Sequence, residues 1–186
     1  MKTVFVSGSR AIGRLNEAVR DRLRNVMRQS FQVILGDANG ADKAVQNFLH
    51  ESGYRQVEIF SSGGRCRNNV GAWPVRAVAV AKGVAGRDFY TAKDRKMAAE
   101  ADFGMVLWDG KSPGSLENIV ELANQEKPVL VYLAPHQAFH TVTTVDTLRR
   151  LLADCNVADL EQISRKTGLI LPTGPESIPR QEALAF

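Results

Sequence analysis

Residues 3–36, TVFVSGSRAIGRLNEAVRDRLRNVMRQSFQVILG, decide the fold. The stretch opens with Thr3–Ser7, a short β-rich run that stops at Gly8. Leu15, Val19, Leu23 and Val26/Met27 then recur at helical spacing, and Gln32–Leu35 is a second β-rich run stopped by Gly36-Asp37. Strand, helix and strand in close succession form a parallel unit, since parallel neighbours need a crossover long enough to hold a helix. The pattern continues downstream. Ala41, Ala44/Val45 and Phe48/Leu49 make a second helical stripe ending near Gly53, and Gln56–Phe60 reads as a third strand. Residues 61–88 read as a long loop with room for a short extra strand at Ala77–Ala81. A third helix is expected over Tyr90–Ala101, a fourth strand over Phe103–Trp108, a fourth helix over Ser115–Gln125 and a fifth strand over Pro128–Leu133. The strands are apolar almost throughout, as strands covered on both faces must be. The expectation is an α/β fold: a Rossmann-like open parallel sheet of about five strands with helices on both faces, over residues 1–134. Residues 135–186 read as a C-terminal helical appendage, with helices through Leu148–Leu152 and Val157–Lys166, and a tail containing Pro172, Pro175 and Pro179 that lies on the domain or on a second subunit.

Composition bounds the function. Hydrophobic residues at 44% and charged residues at 24% are ordinary globular values, which removes disordered and fibrous classes. No run reaches the length that a membrane-spanning helix needs, and the apolar start is too short for a signal peptide. Two cysteines, Cys66 and Cys155, are too few for a disulfide framework, so a cytoplasmic protein is expected. The net charge of +4 is unevenly spread: residues 1–30 hold seven Lys/Arg against two acids, and residues 55–96 nine against three. Arg20, Arg24 and Arg28 repeat at helical spacing and read as a solvated face. The second block coincides with the long loop and suits an anion pocket.

In an open α/β sheet, ligands bind outside the carboxyl ends of the strands. The first strand runs into Gly8-Ser9-Arg10, where small residues let backbone approach an anion and Arg10 offers a charge-assisted bond. The second runs into Gly36-Asp37-Ala38-Asn39-Gly40-Ala41-Asp42; Asp42 suits a ribose hydroxyl or compensation of the helix dipole equally. The fourth runs into Asp109-Gly110-Lys111-Ser112-Pro113-Gly114-Ser115-Leu116-Glu117-Asn118, a turn into a helix with Ser115 as the expected N-cap and an anion nest at its start. Neither the G-x-G-x-x-G fingerprint nor a Walker P-loop is present.

Ser7-Gly8-Ser9-Arg10, Gly36-x-x-x-Gly40-Ala41-Asp42 and Ala101-Asp102 leading to Asp109-Gly110-x-Ser112-x-Gly114-Ser115 resemble the SLOG superfamily of Rossmann-like domains, in particular a small bacterial branch of it. That superfamily includes the LOG phosphoribohydrolases and the DprA/Smf DNA-processing proteins. The resemblance covers roughly residues 3–134 and implies a nucleotide site built from these turns. LOG enzymes carry Pro-Gly-Gly-x-Gly-Thr-x-x-Glu at the fourth turn, whereas Asn118 stands here where a second acid is expected. Glu117 is the nearest substitute, about 100° from Asn118 on a helix, an offset that leaves open whether it faces the site.

The segment after the third strand, Ser61 to Arg76, combines Arg65, Arg67, Arg76, Asn68, Asn69 and Trp73 and reads as a ligand lid. Cys66 lies between two arginines, which favours its thiolate. Tyr90, Asp94 and Arg95 open the third helix and are further ligand candidates. No metal or other cofactor is expected. The partner expected is a nucleotide-like small molecule, on a chain forming a homo-oligomer (a dimer), with neither nucleic acid nor membrane. Three functions follow from these residues: nucleotide-ligand binding, as in a sensor; nucleotide N-glycosidic hydrolysis or glycosyl transfer with Glu117 and Asp109 as the acids; and DprA-like single-strand DNA binding, which the lack of exposed aromatic rows disfavours.

Overall fold

The computed structural model describes residues 1–172. Its sheet has seven strands rather than five, in the order β4-β3-β2-β1-β5-β6-β7. They are β1 (Thr3–Gly8), β2 (Gln32–Gly36), β3 (Val57–Ser62), β4 (Val75–Val78), β5 (Phe103–Trp108), β6 (Val129–Leu133) and β7 (Ala138–Val142). The six helices are α1 (Glu17–Arg28), α2 (Ala41–Glu51), α3 (Gly86–Glu100), α4 (Pro113–Asn124), α5 (Val145–Ala153) and α6 (Val157–Thr167). All neighbouring strands are parallel except β6 and β7. Both added strands sit at edges. β4 starts two residues before and ends three before the extra strand expected at Ala77–Ala81, and β7 returns antiparallel after a single helical turn at Ala134–His136. No helix of the described residues is long and apolar enough to cross a membrane.

Alternation along each strand sends side chains to two cores. Val4, Val6, Val33, Leu35, Met105 and Leu107 pack with Val19 and Leu23 of α1 and Val45 and Leu49 of α2. Phe5, Ile34, Val106 and Trp108 face the other way, against Met97 of α3, Leu116 and Ile119 of α4, Leu151 of α5 and Ile163 of α6. The C-terminal helices therefore share the main core instead of standing apart from it.

This topology positions the site. From β1 the chain builds outward through β2, β3 and β4. α3 then carries it back beside β1, where β5 starts the other half. β1 and β5 pair directly, Gly8 opposite Leu107. Their carboxyl ends thus flank the point where the strand order reverses, and the loops leaving them diverge to opposite faces, which opens a crevice.

Candidate functional site

A cavity of about 710 Å³ occupies that crevice. Gly8, which ends β1, with Ser9 and Arg10, Gly36, which ends β2, with Ala38 and Asp42, and Asp109, Lys111, Ser112, Gly114 and Ser115 after β5 all line it. The starts of α3 and α4 line it as well, and α2 begins beside it. α2 and α3 have no side-chain cap at their N-termini. Gly40, at φ +80°, is the α2 N-cap and lies against the backbone of Arg10; a Cβ there would strike Arg10 Cα. This contact, with Ala41 N donating to Ser9 O at 3.1 Å, holds the β1 turn against α2. Gly40 and Ala41 therefore position the wall without lining it.

Asp37 does not face the cavity. It is 1% exposed, and its carboxylate accepts from Arg67 N and Nε at 3.0 Å and from Arg67 Nη2 at 2.6 Å. Burial pushes its carboxyl up, but the Arg67 hydrogen bonds and charge outweigh this and hold it below the usual range. Arg67 is the one residue of the segment from Ser61 to Arg76 that lines the cavity. The rest of the expected lid is a fixed strut. Asn68 Nδ2 donates to Asp37 O at 2.8 Å, and buried Gln46 of α2 holds Asn68 O and Val70 N. Asn69 closes a turn on the backbone of Trp73 in both directions. Trp73 is buried in the α1/α2 core, with Nε1 donating to Tyr54 O at 3.0 Å, so it is a packing residue and not a stacking surface. Arg76 sits on edge strand β4, paired with Glu58 at 2.8 Å and Glu100 at 2.5 Å, away from the cavity. Arg65 is exposed and does not line it. Cys66 also departs from expectation: burial and Asp37 push its thiol up, outweighing Arg67.

The floor holds Asp42 and Asp94, both expected, around Lys93, which was not. Lys93 of α3 is 4% exposed, with Nζ 2.7 Å from Asp94 Oδ1. A Cβ on Gly36 would lie 2.5 Å from Asp42 Oδ2 and 2.6 Å from Lys93 Nζ, so glycine is what lets both groups cross the end of β2. Asp42 is buried, accepts from Ala38 N at 3.1 Å, and is pushed up to about 6 by burial, with Lys93 opposing. Burial works against the Lys93 ammonium, but Asp94 and Asp42 outweigh it and the net direction is upward. Both Lys93 and Asp94 line the cavity. The signal for Lys93 is its place on the inward stripe Phe89–Lys93–Met97, where a lysine stands between apolar neighbours.

The fourth turn is ordered by Asp109. Its carboxylate accepts from Ser9 Oγ at 2.7 Å, Lys111 N at 3.1 Å and Ser112 N at 2.8 Å. Gly110, at φ +77°, makes the bend and does not line the cavity. The α4 N-cap is Ser112, not Ser115: Pro113 takes the first helical position, and Ser115 donates from N and Oγ to Ser112 Oγ at 3.4 and 3.1 Å. Glu117 and Asn118 both line the cavity. Asn118 Nδ2 donates to Ser7 Oγ at 3.2 Å, and Glu117 forms an ion pair with Arg87 at the start of α3. Burial pushes the Glu117 carboxyl up, while Arg87 pulls against it. Glu117, the acid candidate, thus lines the same cavity as its neighbour Asn118. Arg95 instead lines a separate pocket of about 250 Å³ between α3 and α4, which Glu117 and Asn118 border from the other side.

Arg87, Thr91 and Lys166 complete the wall. Arg87 Nη1 donates to Lys166 O at 2.6 Å, and Lys111 Nζ lies 3.6 Å from Asp159 Oδ2, so α6 forms one side of the site. At the mouth, the Tyr90 ring lies 4.7 Å from the Arg67 guanidinium and 5.7 Å from that of Arg10. The arrangement offers helix starts and cations to an anion, with carboxylates set on the floor and on one wall. Compared with known proteins, the chain matches no family model and no curated protein.

Proposed function

We propose that the protein binds a nucleotide or nucleotide-derived phosphorylated ligand in this cavity, as a sensor domain does. The observation that carries the reading is the cavity's place at the strand-order reversal, with helix starts opening on it and Arg10, Arg67, Arg87, Lys93, Lys111 and Lys166 around it. Its volume lies within the roughly 300–1,000 Å³ of small-molecule sites. The SLOG-like turns after β1, β2 and β5 support the same reading, since they are the segments that meet there. A ligand at 100 times its dissociation constant stabilises the folded state by about 2.7 kcal/mol. A thermal-shift panel of mono-, di- and cyclic nucleotides with NAD derivatives is expected to show such a shift for at least one member. A panel without any shift removes the reading.

One observation favours a second reading, N-glycosidic hydrolysis of a bound nucleotide. Glu117 is half-buried in the cavity wall, and burial pushes its carboxyl up while Arg87 pulls against it, so an acid faces the space where a ligand would lie. Against it, Asp109 is committed to two hydrogen bonds within its own turn and one from Ser9 Oγ of the β1 turn, which ties up the other acid expected to work with Glu117.

A further inference from the structure

Arg10, Tyr90 and Arg67 form a group at the cavity mouth that the fold itself does not require. Tyr90 is 38% exposed, and two guanidiniums lie over its ring. The two cations are held very differently. Arg67 is fixed by its three hydrogen bonds to the buried, ionised Asp37. Arg10 is exposed and makes no ion pair among the described residues, although its backbone is seated against Gly40. Arg67 is therefore held in place over the Tyr90 ring, whereas Arg10 has no ion pair to hold its guanidinium there. A planar guanidinium stacked on a phenol ring is also a surface on which another flat ring can stack.

We propose that Tyr90, backed by Arg67, is the platform for an aromatic base of the ligand, which takes the place of Arg10 over the ring while Arg10 turns to the phosphate. The proposal rests on the phosphorylated-ligand reading above and narrows it: the ligand carries its base and is not a bare sugar phosphate. The cavity has the volume for both parts, and Arg10, one residue beyond Ser9 on the β1 turn, lies next to the wall where the helix starts gather. Stacking tolerates any base, so this platform sets ligand class and leaves base identity to other contacts.

The test is titration calorimetry with the ribonucleoside 5′-mono- and diphosphates of the four common bases and with ribose 5-phosphate. The expected result is at least one nucleotide binding tenfold or more tightly than ribose 5-phosphate. Tyr90→Leu is expected to weaken that nucleotide about tenfold and leave ribose 5-phosphate unchanged, on the scale of one lost base stack. Tyr90→Phe, which keeps the flat face, is expected to retain the wild-type ratio. Ribose 5-phosphate binding as tightly as every nucleotide, or Tyr90→Leu weakening both by the same factor, overturns the platform and leaves the phosphate site standing. Failure of every probe to bind the wild type overturns the phosphate site and the platform with it.

Discussion

At the residue scale the site's chemistry divides between Glu117 and Asp42. Glu117 lines the cavity in an ion pair with Arg87, and the other acid whose charge reaches it, Asp94, is itself paired with Lys93. Cleaving a ribosyl bond builds positive charge on the sugar while the leaving base must be assisted, which is work for more than one positioned group. The binding reading therefore predicts no free base when the wild type is incubated with its tightest nucleotide and the products are separated by chromatography. Base that appears with the wild type and falls a hundredfold or more with Glu117→Gln, at little change in affinity, establishes the hydrolase instead. Asp42 yields a prediction on stability. Its folded carboxyl titrates at about 6 against a reference of 3.8. Between those values the folded state holds a proton that the unfolded chain has released, so stability falls as pH rises through the window. At 1.36 kcal/mol per unit the penalty is about 3 kcal/mol above pH 6. Asp37 has the opposite sign and acts below the reference value, outside this window. Urea unfolding of Asp42→Asn is expected to give a flatter stability curve between about pH 4 and 6 than the wild type; parallel curves contradict the burial of this carboxyl.

At the scale of elements, direction separates what could be read from what could not. β1, β2, β3, β5 and β6 were legible because each is a short apolar run closed by Gly, Asp or Pro signals and covered on both faces. α1 and α2 were legible because Leu23 or Leu49 recurs with neighbours at helical spacing. α3 starts four residues before the expected Tyr90, at Gly86, because Ala85 gives no capping side chain to mark it and Lys93 interrupts its apolar stripe. β7 alternates partly exposed residues on a sheet edge, and the left-handed Gln137 before it is no usual turn residue. In the loop between β3 and β4, residue types gave the chemistry and not the aim. Asn68 and Asn69 are spent on backbone groups, and Trp73 points into the core, where Gly71 leaves room for its ring. Trp73→Ala is accordingly expected to cost about 3–5 kcal/mol in chemical denaturation and to leave ligand affinity unchanged. A variant of normal stability with lost binding restores the loop as a lid.

At the scale of the whole molecule, the site is an outcome of topology. The turns after β1, β2 and β5 are far apart in sequence and meet only because α3 returns the chain to the centre of the sheet. Those turns are why Gly8, Ser9, Arg10, Asp42, Asp109, Lys111, Ser112, Gly114 and Ser115 could be chosen from sequence alone and do line one cavity. Lys166 could not, since α6 reaches the site only by packing Leu160 and Ile163 on the core shared with α4. The tail with Pro175 and Pro179 lies outside the described residues.

The most direct test places a negative charge in the proposed anion site without disturbing the fold. Gly114 lines the cavity in the first turn of α4, and a Cβ there meets nothing within 4 Å. An acidic residue at a helix start is favourable by roughly 0.3–1 kcal/mol, so Gly114→Glu should melt at or above the wild-type temperature. The measurement is the thermal shift of both proteins with the nucleotide that stabilises the wild type most. The account predicts a clear shift for the wild type and none for Gly114→Glu; an equal shift in both contradicts it.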